Sequence, residues 1–310
     1  MVKKLPKIKR AARTYETLEL PSEKKHIETD ISLYTFLLYG REKIGKTITF
    51  SKCPEAIFFT TEPGTKGLEI FEFNYKNGGI KDWNIFRRGV DVLLASDRFK
   101  TVVIDTVDKA YDMCLDYICN EWGIDYPGFT PIGKNDYGKS WKAIRKEFVY
   151  QIDRIIQSGR GVCFTSHATE EEFESISGAK FHRIGPSMSN QAKKVVTALV
   201  DMFFYAEYVK DVRGKSLRIL ICEGDEMIFA GARPGAIKCF PKYLPMDAEN
   251  GWKIIEDAFY GRNLGLDPAE ISATNLTTET GKEFLERRKL ERIRGKRLQG
   301  ITVPKKLTRN

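Results

Sequence analysis

The sequence predicts an α/β fold: a mostly parallel sheet flanked by helices, with an antiparallel hairpin at one edge. Short apolar runs alternate with amphipathic stretches, as they do where helices cover both faces of a parallel sheet. A glycine-containing turn joins the first apolar run to a helical stretch, and two later apolar runs flank the polar turn KDVRGK as hairpin strands would. With 310 residues and 42% apolar content, the chain has enough material for a large core.

Four runs that are largely apolar are expected to form the central strands. They lie at 31–39, 56–62, 100–106 and 161–167, and the hairpin strands are expected at 202–209 and 216–223. One helix follows the first strand directly, and further helices are expected at 84–95, 107–121, 139–158, 190–200 and 248–259. In the 139–158 helix, Ile144, Phe148 and Ile152 fall on one face and predict an amphipathic stripe.

The charge distribution predicts three parts: a basic N-terminal arm (1–30), a core (31–260) and a basic C-terminal tail (261–310). The net charge of the chain is +9, but residues 1–13 carry six Lys/Arg and no acid, and residues 281–310 carry eleven Lys/Arg against three acids. Basic tails of this kind attract nucleic acid or an acidic partner. The alternative is that they only keep the chain in solution.

The cysteines and the apolar runs limit the cellular compartments in which the protein is expected. The six cysteines are scattered, without a C-x-x-C pair and without a histidine nearby in the pattern of a zinc site. No apolar run approaches the roughly 20 residues that span a bilayer, and the N-terminus has no apolar signal segment. We therefore expect a cytoplasmic protein with reduced thiols and no membrane contact.

The segment GREKIGKT, residues 40–47, matches G-x-x-x-x-G-K-[ST] between a strand and a helix. Glycines let successive backbone N–H groups face one anion, the lysine reaches the β- and γ-phosphates, and the threonine hydroxyl binds Mg²⁺. The pattern predicts a P-loop for a nucleoside triphosphate, with Lys46 serving both binding and catalysis. The expected nucleotide-binding residues are Gly40, Arg41, Glu42, Lys43, Ile44, Gly45, Lys46, Thr47 and Ile48.

Acidic and polar residues at the ends of neighbouring strands complete the predicted site. Asp105 ends the strand TVVID and is expected to hold Mg²⁺ together with Thr47, although an aspartate there could also cap the next helix. Because Thr106 replaces the carboxylate that follows this aspartate in many ATPases, the water-orienting base must come from elsewhere, and Glu62 ends the adjacent strand. His167 ends the fourth strand and could sense the γ-phosphate or hydrogen-bond Glu62. Guanine-reading motifs are missing, so ATP is preferred by elimination.

Five segments, in this order, resemble a known group: YGREKIGKT, FFTTEPGTKGL, FKTVVIDTVD, DYGKSW and GVCFTSHAT. Over roughly residues 30–260 the chain resembles phage-encoded RecA-like P-loop proteins of the AAA type, some of which act as single-strand annealing recombinases. The resemblance implies a RecA-like core, ATP and Mg²⁺, with Glu62 activating water, Asp105 binding the metal and His167 sensing the γ-phosphate. It also implies the cytoplasm of a phage host.

The same resemblance implies single-stranded DNA as a partner and assembly into a ring or filament. A basic residue from the next subunit often completes such sites, and Arg233 and Lys238 are the candidates. Mobile loops after the sensor strand contact DNA in this group. The matching span is 168–190, where Lys180, Phe181 and Arg183 are the nucleic-acid candidates.

Alternatives remain open at this point. The loop at 122–141 combines aromatic residues with lysines and is either a stacking surface or a packed lid. The function expected is ATP-linked binding of single-stranded DNA in phage recombination, repair or replication. One alternative is a nucleotide-gated switch with little turnover that acts on a replication or packaging partner. Another is a small-molecule kinase, which the lack of arginine in the 122–141 loop disfavours.

Overall fold

The structure is a computed structural model, and it describes residues 20–174, 180–233, 240–247, 249–263 and 265–271. Most of the predicted arm and tail, Lys238, and the side chains of Lys180 and Phe181 lie outside the described residues. The end of the arm at 20–29 is exposed and has no regular secondary structure. The described cysteines, Cys53, Cys114, Cys119, Cys163 and Cys222, are all free and buried.

A sheet of ten strands forms the centre of the molecule. Its strands are β1 (Thr35–Gly40), β2 (Ala56–Thr60), β3 (Phe71–Glu72), β4 (Thr101–Asp105), β5 (Gly161–Glu174), β6 (Lys180–Pro186), β7 (Met202–Lys210), β8 (Ser216–Ile221), β9 (Gly231–Ala232) and β10 (Tyr243–Pro245). Their order is β10-β8-β7-β1-β5-β4-β2-β3, with β6 paired to β5 and β9 to β7. Strands β7, β1, β5, β4, β2 and β3 are mutually parallel, whereas at one edge β8 pairs antiparallel with β7 and β10 pairs antiparallel with β8. This confirms the predicted fold class.

Helices cover both faces of the sheet. They are α1 (Lys46–Ser51), α2 (Trp83–Leu94), α3 (Val107–Trp122), α4 (Lys139–Gln157), α5 (Asn190–Leu199) and α6 (Gly251–Phe259). α1 and α6 pack on one face, and α2 to α5 pack on the other, because the alternate side chains of each strand point to opposite faces. The parallel register sets Gly40 beside His167 and Thr60 beside Asp105, so the predicted site residues meet at the carboxyl edge.

The α2–α5 face has a core of stacked aromatic rings. Trp83 is fully buried and stacks on Phe86 and Phe148, with ring centroids 4.5 and 5.7 Å apart. Tyr111 approaches Phe148 from α3, with a centroid distance of 5.1 Å. Phe148 therefore joins α2, α3 and α4, which is the role that the predicted stripe at 139–158 required.

The span 168–190 differs from the loop expected there. β5 continues to Glu174 and pairs antiparallel with β6, in a register that sets Ala168 opposite Pro186. Hydrogen bonds from Ile184 N–H to Met227 C=O (2.8 Å) and from Phe229 N–H to Ile184 C=O (3.0 Å) fix the base of this hairpin. Apart from residues 175–179, the span is therefore largely a β-hairpin.

Two further boundaries differ from those expected. The first predicted strand begins with a 3-10 turn at Ile31–Leu33, because the Asp30 carboxylate accepts from Ser32 N–H and caps it. The packed part of the chain also continues past residue 260. Ile271 is buried and pairs with Asp211 beyond the end of β7, and Leu266 N–H donates to Tyr243 C=O at 2.9 Å.

In the part of the chain that the structure describes, no helix combines the length and the apolar character needed to cross a bilayer.

Phe148→Ala tests the central position of this ring. We expect the substitution to lower the free energy of unfolding by about 3–5 kcal/mol, because it leaves a cavity between three helices. Urea denaturation followed by circular dichroism measures the loss. Tyr150→Ala is the matched control: Tyr150 lies on the same helix but is 54% exposed, and its change should stay within about 0.5 kcal/mol. Equal losses in the two variants would contradict the packing described here.

Candidate nucleotide-binding site

The P-loop connects β1 to α1, and two glycines shape it. Gly45 has φ of 110°, a conformation that residues with a Cβ rarely adopt. Gly40 lies so close to β7 that a Cβ there would stand 2.6 Å from the Ala206 carbonyl oxygen. Arg218 reaches the loop from β8 and donates to the Ile44 carbonyl oxygen at 3.0 Å. The conformation of its glycines and the contacts with β7 and β8 therefore hold the loop in a curled form.

Lys46 is buried inside this loop. Its Nζ donates to the carbonyl oxygens of Gly40 and Arg41, each at 2.8 Å. Burial lowers the pKa of Lys46, and the nearby carboxylates, Asp105 first among them, oppose that shift. The ammonium group thus sits at the centre of the loop, which is where a P-loop lysine meets phosphate oxygens.

Asp105 lies beside Thr47 and is buried. The Thr47 hydroxyl donates to Asp105 Oδ2 at 2.9 Å, and the Thr165 hydroxyl donates to Oδ1. Burial raises the pKa of Asp105, and these two hydrogen bonds oppose the shift. Among the described residues, Asp105 has no ion-pair partner within 4.0 Å, so a buried carboxylate faces the P-loop without a direct cation.

These residues fit Mg²⁺. A hydroxyl and a carboxylate are hard oxygen ligands, and Mg²⁺ usually takes one or two protein ligands, with water and phosphate oxygens completing its shell. The described residues contain no cluster of three or more His, Cys, Asp or Glu that would cage a metal. Thr47 and Asp105 would therefore hold the ion together with the nucleotide, as the sequence predicts.

Residues 161–167 of β5 pair with β1 or β4. The last three residues of this part of β5 each contact a different carboxylate. Thr165 donates to Asp105, and the Ser166 hydroxyl donates to Asp108 Oδ1 at 2.8 Å. His167 Nε2 lies 3.3 Å from Glu62 Oε2. Thr165, Ser166 and His167 thus contact Asp105, Asp108 and Glu62 at the same time.

Glu62 is held on two sides but remains partly exposed. Its Oε1 accepts from the Thr106 hydroxyl at 3.1 Å, while Oε2 faces His167, and its side chain is 38% exposed. A pocket of about 740 Å³ opens beside it, with Lys66, Lys81 and Lys109 among its lining residues. The contact with His167 is one of the two roles that the sequence left open for the histidine.

The remaining predicted residues lie elsewhere. Arg233 is exposed at the amino edge of the sheet, where it donates to Ala198 C=O at 2.5 Å and lies 3.4 Å from Asp201. Arg183 is on β6, with its guanidinium 5.0 Å from the centre of the Phe229 ring. The structure does not bring either residue to the P-loop of its own chain.

Sequence reasoning assigned no role to Asp108, Thr106 or Arg218. Asp108 and Thr106 stand in the same segment as Asp105, so the motif DTVD carried a signal for them. The contacts of Thr165 and Ser166 with Asp105 and Asp108 were signalled only by their place beside His167 at the end of the fourth apolar run. Arg218 carried no signal, because it contacts the P-loop across 174 residues of sequence.

Comparisons with known proteins include a curated relative and a solved structure, each of low sequence identity. The SPbeta prophage-derived uncharacterized protein YorG of Bacillus subtilis (strain 168) is 23% identical over 140 residues. The match covers 44% of this chain and 41% of YorG, so the chain spans about two fifths of that relative. The KaiC-like protein PH0186 from Pyrococcus horikoshii OT3 superposes with a TM-score of 0.37 at 13% identity, over 70% of this chain and 88% of that one.

A family model described as an AAA domain, AAA_24, matches residues 33–234. The matched span is more than half of the chain and contains the P-loop, Glu62, Asp105 and His167. The match agrees with the site geometry in indicating nucleotide binding and hydrolysis. The chain belongs to this AAA domain family.

Proposed function

We propose that this protein is a Mg²⁺-dependent ATPase whose nucleotide state controls binding of single-stranded DNA in phage recombination, repair or replication. The ATPase part of the proposal rests on one observation: Thr165, Ser166 and His167 of β5 contact three carboxylates beside the P-loop. A site built only to hold a nucleotide needs the P-loop and Asp105. A positioned Glu62 is the additional element that hydrolysis requires.

Each residue has a distinct task in this proposal. Lys46 would exchange its two loop carbonyls for phosphate oxygens, and Thr47 and Asp105 would hold the metal. The metal, when bound, neutralises phosphate charge. Glu62 orients the attacking water and accepts its proton, while Thr106 and His167 hold the carboxylate in place. Because His167 bonds Glu62, it can also report the γ-phosphate to that carboxylate.

A basic stripe on α4 supports the proposed DNA contact. Lys139, Lys142 and Lys146 are exposed at helical spacing on one face, followed by Tyr150, which is 54% exposed. None of these lysines forms an ion pair with a carboxylate in the described part of the chain. Cations that track a backbone and aromatic rings that stack bases are the usual elements of a single-strand surface.

The loop before α4 extends this stripe. The Asp136 carboxylate accepts from Gly138 N–H (2.7 Å) and Ser140 N–H (2.9 Å), which orders the loop against the start of the helix. Tyr137, directly before the N-cap of α4, is 89% exposed, and Ile132 and Lys134 in the preceding turn are exposed as well. The loop is therefore structured but not covered by the described chain, which favours a stacking surface over a packed lid.

The β5–β6 hairpin gives a route from nucleotide to DNA. Its pairing begins at Ala168, directly after His167, so a shift of the histidine moves β5 and, through the pairing, β6, which carries the candidates Lys180, Phe181 and Arg183. The prophage origin of YorG supports a phage context. Assembly into a ring or filament, with Arg233 or Lys238 reaching the next subunit, belongs to the same proposal.

Lys46→Ala tests nucleotide binding. A ligand at 100 times its Kd stabilises a protein by about 2.7 kcal/mol, so Mg²⁺ with ATP should raise the wild-type melting temperature by roughly 5 °C. The variant should lose nearly all of this shift, because the phosphates lose their central cation. Differential scanning fluorimetry gives the measurement, with Lys52→Ala, an exposed lysine just after α1, as the control. An unchanged shift in Lys46→Ala would remove the P-loop assignment.

Glu62→Gln tests the base. We expect kcat for ATP to fall by about 100-fold or more, with nucleotide affinity nearly unchanged, since only the water-orienting carboxylate is lost. Steady-state phosphate release and equilibrium binding separate the two effects, and Glu69→Gln is a control at the rim of the same pocket. Turnover that survives Glu62→Gln would rule out this base. A wild type that binds ATP but does not hydrolyse it, with or without single-stranded DNA, would favour the switch.

Charge reversal on α4 tests the DNA surface. Lys142→Glu with Lys146→Glu should weaken binding of a labelled single strand and lower the slope of log affinity against log salt by about 1.4, if each lysine meets one phosphate. Fluorescence anisotropy over a salt series measures both quantities. Lys52→Glu with Lys76→Glu changes the net charge equally at exposed sites elsewhere. The same losses in both double variants would reduce the stripe to a nonspecific charge effect.

A further inference from the structure

We propose that Asp108 is a positioning residue that connects the base of the β5–β6 hairpin to the carboxylates of the proposed hydrolytic site. Through this connection, single-stranded DNA bound at the hairpin changes the rate of ATP hydrolysis. This inference rests on the proposed function and names a regulatory link within it. Asp108 contacts neither the P-loop nor Glu62 directly. It acts through two serines, one on each side of the hairpin base.

The geometry of this link is specific. Asp108 Oδ1 accepts from Ser166 Oγ and from Ser187 Oγ, both at 2.8 Å. Ser166 belongs to the β5 residues that hold the carboxylates, whereas Ser187 directly follows the last residue of β6. One oxygen atom therefore joins both strands of the hairpin to the first turn of α3.

The position of Asp108 in α3 connects the link to the base. Asp108 is two residues after Thr106, whose hydroxyl holds Glu62. His167 provides the second connection between Ser187 and Glu62. Its carbonyl oxygen accepts from Ser187 N–H at 2.8 Å, and its ring contacts the Glu62 carboxylate on the side opposite Thr106. A displacement of Ser187 thus reaches Glu62 by two routes.

A third contact secures the same hairpin base to the P-loop strand. The Tyr39 hydroxyl, next to Gly40, lies 3.3 Å from the Ile184 carbonyl oxygen and 2.6 Å from that of Phe229. These two contacts are part-buried, whereas the Asp108–Ser187 hydrogen bond and the Ser187 side chain are exposed. Solvent or bound single-stranded DNA therefore has more direct access to the Asp108–Ser187 hydrogen bond.

A simpler role for Asp108 is to stabilise α3, since an acid in the first turn favours the positive end of the helix. The two roles differ in what they change. Helix stabilisation predicts lower stability in an Asp108 variant and no effect of Ser187 on turnover. The proposed link predicts that loss of the Ser187 hydroxyl alone weakens the stimulation of ATP hydrolysis by single-stranded DNA.

The first test measures kcat and KM for ATP with and without single-stranded DNA. Ser187→Ala should lower the ratio of stimulated to basal kcat by about 3- to 30-fold, with KM for ATP within about twofold of wild type. Ser187→Thr, which keeps the hydroxyl, should restore the ratio. Asp108→Ala should lower it more than Asp108→Asn, which keeps an acceptor oxygen. Asp112→Asn, one turn further along α3 and exposed, is the control and should behave as wild type.

The second test does not depend on turnover. Hydrogen–deuterium exchange on the full chain should show amide exchange at 166–169 rising about threefold or more in Ser187→Ala and Asp108→Ala, and not in Asp112→Asn. If wild type shows no turnover or no stimulation, the proposed function fails, and the exchange result still decides whether the link exists. Exchange at 166–169 that stays at the wild-type level in Ser187→Ala, or an unchanged stimulation ratio in a stimulated enzyme, would overturn the proposal.

Discussion

The site depends on one constraint: three carboxylates lie close together at the carboxyl edge of the sheet, and each needs a donor. Burial raises the pKa of both Asp105 and Asp108, so their charged forms are costly without hydrogen bonds. The parallel pairing of β1, β4 and β5 meets this need, because it brings consecutive β5 residues opposite the carboxylates. The arrangement of carboxylates at the candidate site is therefore a consequence of strand register.

The local patterns in the sequence were sufficient for the fold class and for much of the site. The P-loop, Asp105 and Glu62 follow from strand ends and turns, each readable within a few residues. The sequence offered two roles for His167, and contact with Glu62 was one of them. This contact was expected because both residues stand at the ends of apolar runs, and parallel strands end at the same edge of a sheet.

What the sequence could not provide depends on contacts between distant segments. Arg218 on the P-loop and Ser187 on Asp108 are single hydrogen bonds between elements far apart in the chain. The hairpin at 168–186 was missed because its acidic first half has the composition of a solvated loop, and pairing with β6 decided its conformation. The short strands β3, β9 and β10 carry too few residues for any periodicity to identify them.

The contact between Arg218 and the Ile44 carbonyl oxygen limits how this protein can be divided. Truncation near residue 200 would keep the P-loop and the segments that carry Glu62, Asp105 and His167. That fragment would lack β7, against which Gly40 packs, and the guanidinium that supports the loop from outside. A unit that keeps the P-loop in its observed shape therefore includes β7 and the antiparallel edge that carries Arg218.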